Sequence, residues 1–126
     1  MEYNDSEAGR ELGERARRFV DEIVLPVERE HSGSGAVSDV AIEELREEAR
    51  ERDVYCPQID EEHGGLGYDF RDVLPLFEQA GRSLLAERAM RVAAPDEGNM
   101  HTIELVGTDE QKEEYLEPLV AGEINS

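Results

Sequence analysis

The chain has 126 residues, 32 of them acidic against 13 basic, a net charge of −19, 38% apolar and 36% charged residues, and one cysteine. This is one domain's worth of chain, and the absence of a basic stripe excludes nucleic acid and anionic membranes as partners. No apolar run approaches the ~20 residues that cross a bilayer, the acidic start lacks a signal-peptide core, and Cys56 has no second cysteine to pair with, so a soluble, cytoplasmic protein is expected.

Leu12, Ala16, Phe19, Val20, Ile23 and Val27 recur at steps of three and four, which predicts an amphipathic helix from about Ser6 to Glu30, kinked at Pro26. The glycines and serines of "HSGSGAVS" end it. Ser38 or Asp39 then caps a second helix with Ile42, Leu45 and Ala49 inward and a ladder of spaced opposite charges outward. Residues 54–60 read as an extended, buried passage containing Cys56, which reads as an inert core thiol. "EEHGGLGYDF" reads as a loop entering a third helix near Asp69, with Phe70, Val73, Leu74, Phe77 and Ala80 on its inner face.

Gly81 is placed to end that helix and Ser83 to cap a fourth helical stretch, "LLAERAMRVAAPDEGNMHTIELVG". Pro95 removes a donor and clashes with the preceding turn, so a break near Ala94 is expected. Gly107 ends the stretch, and Thr108 with Gln111 forms a capping box for a last helix, whose stripe is Tyr115, Leu116 and Leu119 and which is left at Gly122. The fold class is all-α, an up-and-down or orthogonal bundle of about five helices.

The acidic residues are spread over the whole chain and Lys112 is the only lysine. That pattern is expected of a hydrated surface that self-repels in dilute buffer and is screened in molar salt, where the Debye length is ~3 Å. "HGGLG" lacks the Gly-Lys-Ser/Thr continuation of a P-loop and the spacing of a dinucleotide fingerprint, so its glycines read as conformational. Glu28 and His31 match the Glu-x-x-His spacing of di-iron bundles once, and His63 and His101 do not complete a second pair. No metal site and no catalytic nucleophile with a partnered base is read from the chain.

Three stretches together resemble the N-terminal helical domain of the flavin-dependent acyl-CoA dehydrogenases: "EEHGGLGYD", although Asp60 stands where the family usually has proline; "FEQAGRS"; and "GTDEQKEEYLEPLVAGE". The phrase "APDEGNM" at Ala94 to Met100 is similar to the branch that carries Ala-Pro-Asp-x-Gly-Asn-Met, a subgroup associated with long-chain and hydroxylated acyl-CoAs. The resemblance runs from about Gly13 to Ser126. It implies residues 1–126 as the N-terminal domain, with the middle β domain and the C-terminal helical domain absent. FAD is implied for the full enzyme and not for this chain alone, with the catalytic base also elsewhere. Implied partners are acyl-CoA, the missing domains and further copies in a homo-oligomer. At matched positions it implies Ala94, Pro95, Asn99, Met100 and Ile103 as a wall of the acyl pocket, with Gly64, Gly65 and Gly67 shaping a loop near it. Plain core packing is the competing reading of these positions. A non-enzymatic helical module that self-associates or binds a partner chain is the competing reading of the whole.

Overall fold

The structure is a computed structural model, and it describes residues 6–31, 37–93 and 96–124. Among these, all regular structure is helical, in six helices. Helix α1 covers residues 7–30, α2 is Asp39–Glu51, α3 is Phe70–Ala80, α4 is Leu84–Ala89, α5 is Asp96–Val106 and α6 covers residues 109–121. One 3₁₀ turn, Glu61–His63, lies in the long connection between α2 and α3. The fourth predicted stretch is divided into α4 and α5, hence six helices in place of about five.

Local chemistry accounts for most of the boundaries. Ser6, Ser38 and Ser83 accept hydrogen bonds from the first-turn amides of Gly9, Ala41 and Leu85, which removes orphan donors at each start. Thr108 and Gln111 form the reciprocal capping box. Pro26 does not break α1. It follows a single π turn, Val20–Val24, in which the Leu25 amide donates to the Val20 carbonyl five residues back. The wider turn relocates the carbonyls that a proline ring would meet, and the helix resumes at Leu25–Glu30. Pro118 is treated identically in α6, with a π turn at Lys112–Leu116 and the Glu117 amide donating to the Lys112 carbonyl.

The helices pack as α1 on α3, α2 on α4, and α5 on α6. The α1–α3 seam is very close. A Cβ on Gly13 would lie 2.7 Å from the Pro75 Cβ, and one on Gly9 would lie 3.2 Å from the Asp72 carbonyl oxygen. Leu12, Ala16, Phe19, Val20 and Val24 of α1 are buried there with Val73, Leu76 and Ala80 of α3, each large aliphatic or aromatic side chain contributing about 1.5–3 kcal/mol.

Two predicted stripes are corrected. Phe70 is 58% exposed and Leu74 is also exposed, while Leu76 and Pro75 turn inward, because the Pro75–Gly13 contact sets the rotation of α3. Tyr115 is 48% exposed while Leu116, Leu119 and Val120 are buried, because the π turn adds a residue and carries Tyr115 off the inner face. Residues 54–59 are buried as expected but run through bends and turns instead of an extended path, with Cys56 at a φ of 46°.

Candidate functional site

The positions singled out in the sequence lie on α5 and on the connection that runs beneath it. Ala94 and Pro95 fall outside the described residues. Asn99 is exposed, Met100 is fully buried and Ile103 is half-buried against the core. Asn99 and Ile103 are four residues apart and share a face of α5. Met100 is one position round the helix and anchors it.

The glycine loop is bound to both neighbouring helices. At its start the Asp60 amide donates to the Glu104 Oε2 of α5 at 2.8 Å. Further on, His63 Nδ1 lies 3.2 Å from Glu117 Oε2 of α6. A Cβ at Gly65 would stand 2.0 Å from the Ile59 carbonyl oxygen, so only glycine lets the loop fold back on the preceding segment. That return is stitched by Leu66, Gly67 and Tyr68 amides donating to the carbonyls of Cys56, Ile59 and Pro57. His63, Gly64 and Gly65 amides are likewise used, on the carbonyls of Asp60, Glu61 and Asp60. The loop amides are therefore spent internally and offer no phosphate cradle, in contrast to a nucleotide-binding loop.

Cys56 is buried in this connection, and desolvation pushes its thiol up to about 12, which keeps it protonated and unreactive. Next to it, Gln58 is buried and neither atom of its amide has a hydrogen-bond partner; an orphaned buried polar group costs about 1–3 kcal/mol. Glu28 accepts from Ser83 Oγ at 2.9 Å, and His31 Nδ1 lies 2.9 Å from the Val27 carbonyl. No group of three metal-capable side chains forms among the described residues, and no described helix is long and apolar enough to cross a membrane.

The main feature that the sequence did not disclose lies at the end of α6. The carbonyl of Leu119 accepts from Arg91 Nε at 2.9 Å, that of Val120 from the Tyr55 hydroxyl, and that of Ala121 from Arg50 Nη2 at 3.1 Å. The Pro118 carbonyl accepts from the Glu123 amide. All four carbonyls that a helix end leaves orphaned are thus satisfied, and two cations face the negative end of its dipole. Arg50 also stacks over the Tyr55 ring, 4.3 Å from its centroid. Beside them, Arg46 is buried with its Nε on the Arg88 carbonyl at 3.3 Å; desolvation, then the charge of Arg91, lowers its pKa. The side-chain bonds from Arg91, Tyr55 and Arg50 to α6 join residues 28 to 71 positions apart, so no local spacing announces them.

A separate groove of about 760 Å³ lies between α1 and α2, floored by Ile23, Val27 and Leu45 and rimmed by Glu22, Glu30, Glu44, Glu47 and Glu48. It shares no residue with α5 or the glycine loop.

With the six helices and the α5 face in place, comparison with known proteins is decisive. The family model of the acyl-CoA dehydrogenase N-terminal domain matches residues 6–123. This chain belongs to that family. It is 29% identical to acyl-CoA dehydrogenase family member 11 of Mus musculus over 98% of this chain and 17% of the relative. It is 34% identical to family member 10 of the same species over 96% of this chain and 12% of the relative. A solved structure from Mycobacterium abscessus, described as an acyl-CoA dehydrogenase, superposes with a TM-score of 0.81 at 34% identity, covering 98% of this chain and 34% of that one. The chain therefore spans about a sixth or less of the length of these two mouse relatives. As the N-terminal domain of the family, it is helical throughout the regular structure of its described residues.

Proposed function

We propose that this domain forms one wall of the acyl pocket in an FAD-dependent enzyme that dehydrogenates acyl-CoA thioesters between the α and β carbons. The observation that carries the proposal is the α5 surface: within a domain of this family, Asn99 is exposed and Ile103 half-buried on one face while Met100, one position round from Asn99, is buried and anchors the helix. A half-apolar, half-polar face on a rigid helix suits an alkyl chain that carries polar groups. Ala94 and Pro95 belong to the same proposed wall by their place in "APDEGNM", and that phrase supports the long-chain and hydroxyacyl branch. Gly64, Gly65 and Gly67 support the wall from beneath, through the Asp60–Glu104 bond.

Neither the glycine loop nor the clamp at the end of α6 has groups to spare for a flavin. The amides of the glycine loop are consumed within the loop, and Arg91, Arg50 and Tyr55 are directed at carbonyls. The proposal therefore places the isoalloxazine contacts and the catalytic base in the parts of the longer relatives that this chain does not span, with residues 1–126 as the N-terminal domain and the assembly a homo-oligomer. The acidic surface supports a salt-rich cytoplasm as its setting. The fold is then expected to melt at a lower temperature in about 0.1 M salt than at molar salt, where surface repulsion is screened.

The test is co-expression of this chain, in molar salt, with the remaining regions of a family member. Recovery of acyl-CoA-dependent flavin reduction supports the reading. Stoichiometric flavin absorbance from this chain alone overturns the placement of the cofactor. Exposed Phe70, Leu105, Val106 and Tyr115 favour a second reading, a helical module that self-associates. A stable homodimer unaffected by the co-expressed regions would decide for that reading.

A further inference from the structure

We infer that Arg91 is a positioning residue that couples the first turn of α5 to the segment by which the chain leaves α6. Arg91 sits just past the end of α4 with a φ of 60°, a left-handed conformation that disfavours any side chain and normally selects glycine. Its residue is only 4% exposed. The guanidinium donates Nε to the Leu119 carbonyl at 2.9 Å, Nη2 to the Ile124 carbonyl at 2.8 Å, and Nη1 to Asp96 Oδ2 at 3.1 Å. The Asp96 side chain is itself 14% exposed, so the pair is weakly screened.

Guanidinium donors lie in one plane at fixed angles. A displacement of Asp96 turns that plane and misaligns the bonds to Leu119 and Ile124 together. The carboxylate at the head of α5 and the backbone that leaves α6 are thereby held by one rigid fork. Lysine, a single point charge, cannot make three such bonds in fixed register. The neighbouring arginine does not duplicate the role, since Arg46 directs its Nε to the Arg88 carbonyl. The functional meaning rests on the reading of α5 as an acyl-pocket wall: the side chain that seats Asn99 and Ile103 also sets the direction of the outgoing chain.

The coupling is tested by amide hydrogen exchange on the whole chain in molar salt, without acyl-CoA or flavin, so its outcome is independent of the pocket reading. The reporters are the Gly122 and Glu123 amides, which bond to the Leu119 and Pro118 carbonyls. Asp96→Asn is expected to raise their exchange about tenfold relative to amides buried in α1, even though both bond only within the end of α6. Glu97→Gln removes a charge from the same first turn at a side chain with no described bond to Arg91, and is expected to leave those rates within about twofold of the parent. Arg91→Lys should match or exceed the Asp96→Asn effect, and the double variant should not exceed Arg91→Lys alone. Unchanged Gly122 and Glu123 exchange in Asp96→Asn overturns the inference, as does an equal rise in Glu97→Gln or a rise shared uniformly with α1. If Arg91→Lys does not fold, the Asp96→Asn and Glu97→Gln pair decides by itself.

Discussion

At the end of α4, the Val92 amide donates to the Glu87 carbonyl and the Arg91 amide to the Arg88 carbonyl; at the end of α6, the Glu123 amide donates to the Pro118 carbonyl and the Gly122 amide to the Leu119 carbonyl. Both are the 6→1 and 5→2 pattern of a Schellman ending, with Arg91 and Gly122 in the left-handed position at φ of 60° and 80°. Gly122 is there for what it lacks, since a Cβ would lie 2.9 Å from Arg46 Nη1. Arg91 is there for what it carries, because its side chain reaches the very helix that Gly122 ends. One backbone motif thus serves two purposes, and the residue at its left-handed position tells which.

The sharpest way to break this contrast is Arg91→Gly. The backbone gains comfort, yet the Leu119 and Ile124 carbonyls lose a donor and the Arg91–Asp96 ion pair is lost, so a net loss of about 3 kcal/mol is expected in chemical denaturation at molar salt. A variant more stable than the parent would mean that the arginine is not held there by its bonds. Gly122→Ala puts a methyl group into the left-handed position and against Arg46, for an expected loss of about 1–2 kcal/mol. Asp53 supplies the mildest comparison. It ends α2 in the same motif, at a φ of 56°, with Val54 and Asp53 amides on the Ala49 and Arg50 carbonyls, and no bond of its side chain is described. Asp53→Gly is therefore expected to stabilise the fold by about 0.5–1 kcal/mol, the reverse of Arg91→Gly, measured by the shift in denaturation midpoint.

Much of the scaffold was legible because its causes are local. The caps at Ser38, Ser83 and Thr108 act over two or three residues, and the periodicity of α1 is a property of one segment. Legibility failed where one helix decides another's rotation. Phe70 reads as inward on the spacing of α3 alone, and only its seam with α1 turns it out. Tyr115 reads as inward until the π turn ahead of Pro118 adds its extra residue. On the α5 face, Asn99 and Ile103 could be paired from their spacing; the bonds from Glu104 to Asp60 and from Glu117 to His63 span 44 and 54 residues and could not.

By itself the sequence determined the helical class, most starts and stops, the family resemblance and an acidic surface, all of which follow from hydrogen bonds, dihedral preferences and charges that act along a short stretch of chain. Tertiary structure decided which faces those helices bury, how Pro26 and Pro118 are absorbed, and why an arginine occupies a position suited to glycine. The physical reason is that the partners of Arg91, Arg50 and Tyr55 are mainly backbone carbonyls. Every residue has one, so no side-chain pattern in the sequence identifies which carbonyls the fold will bring to them.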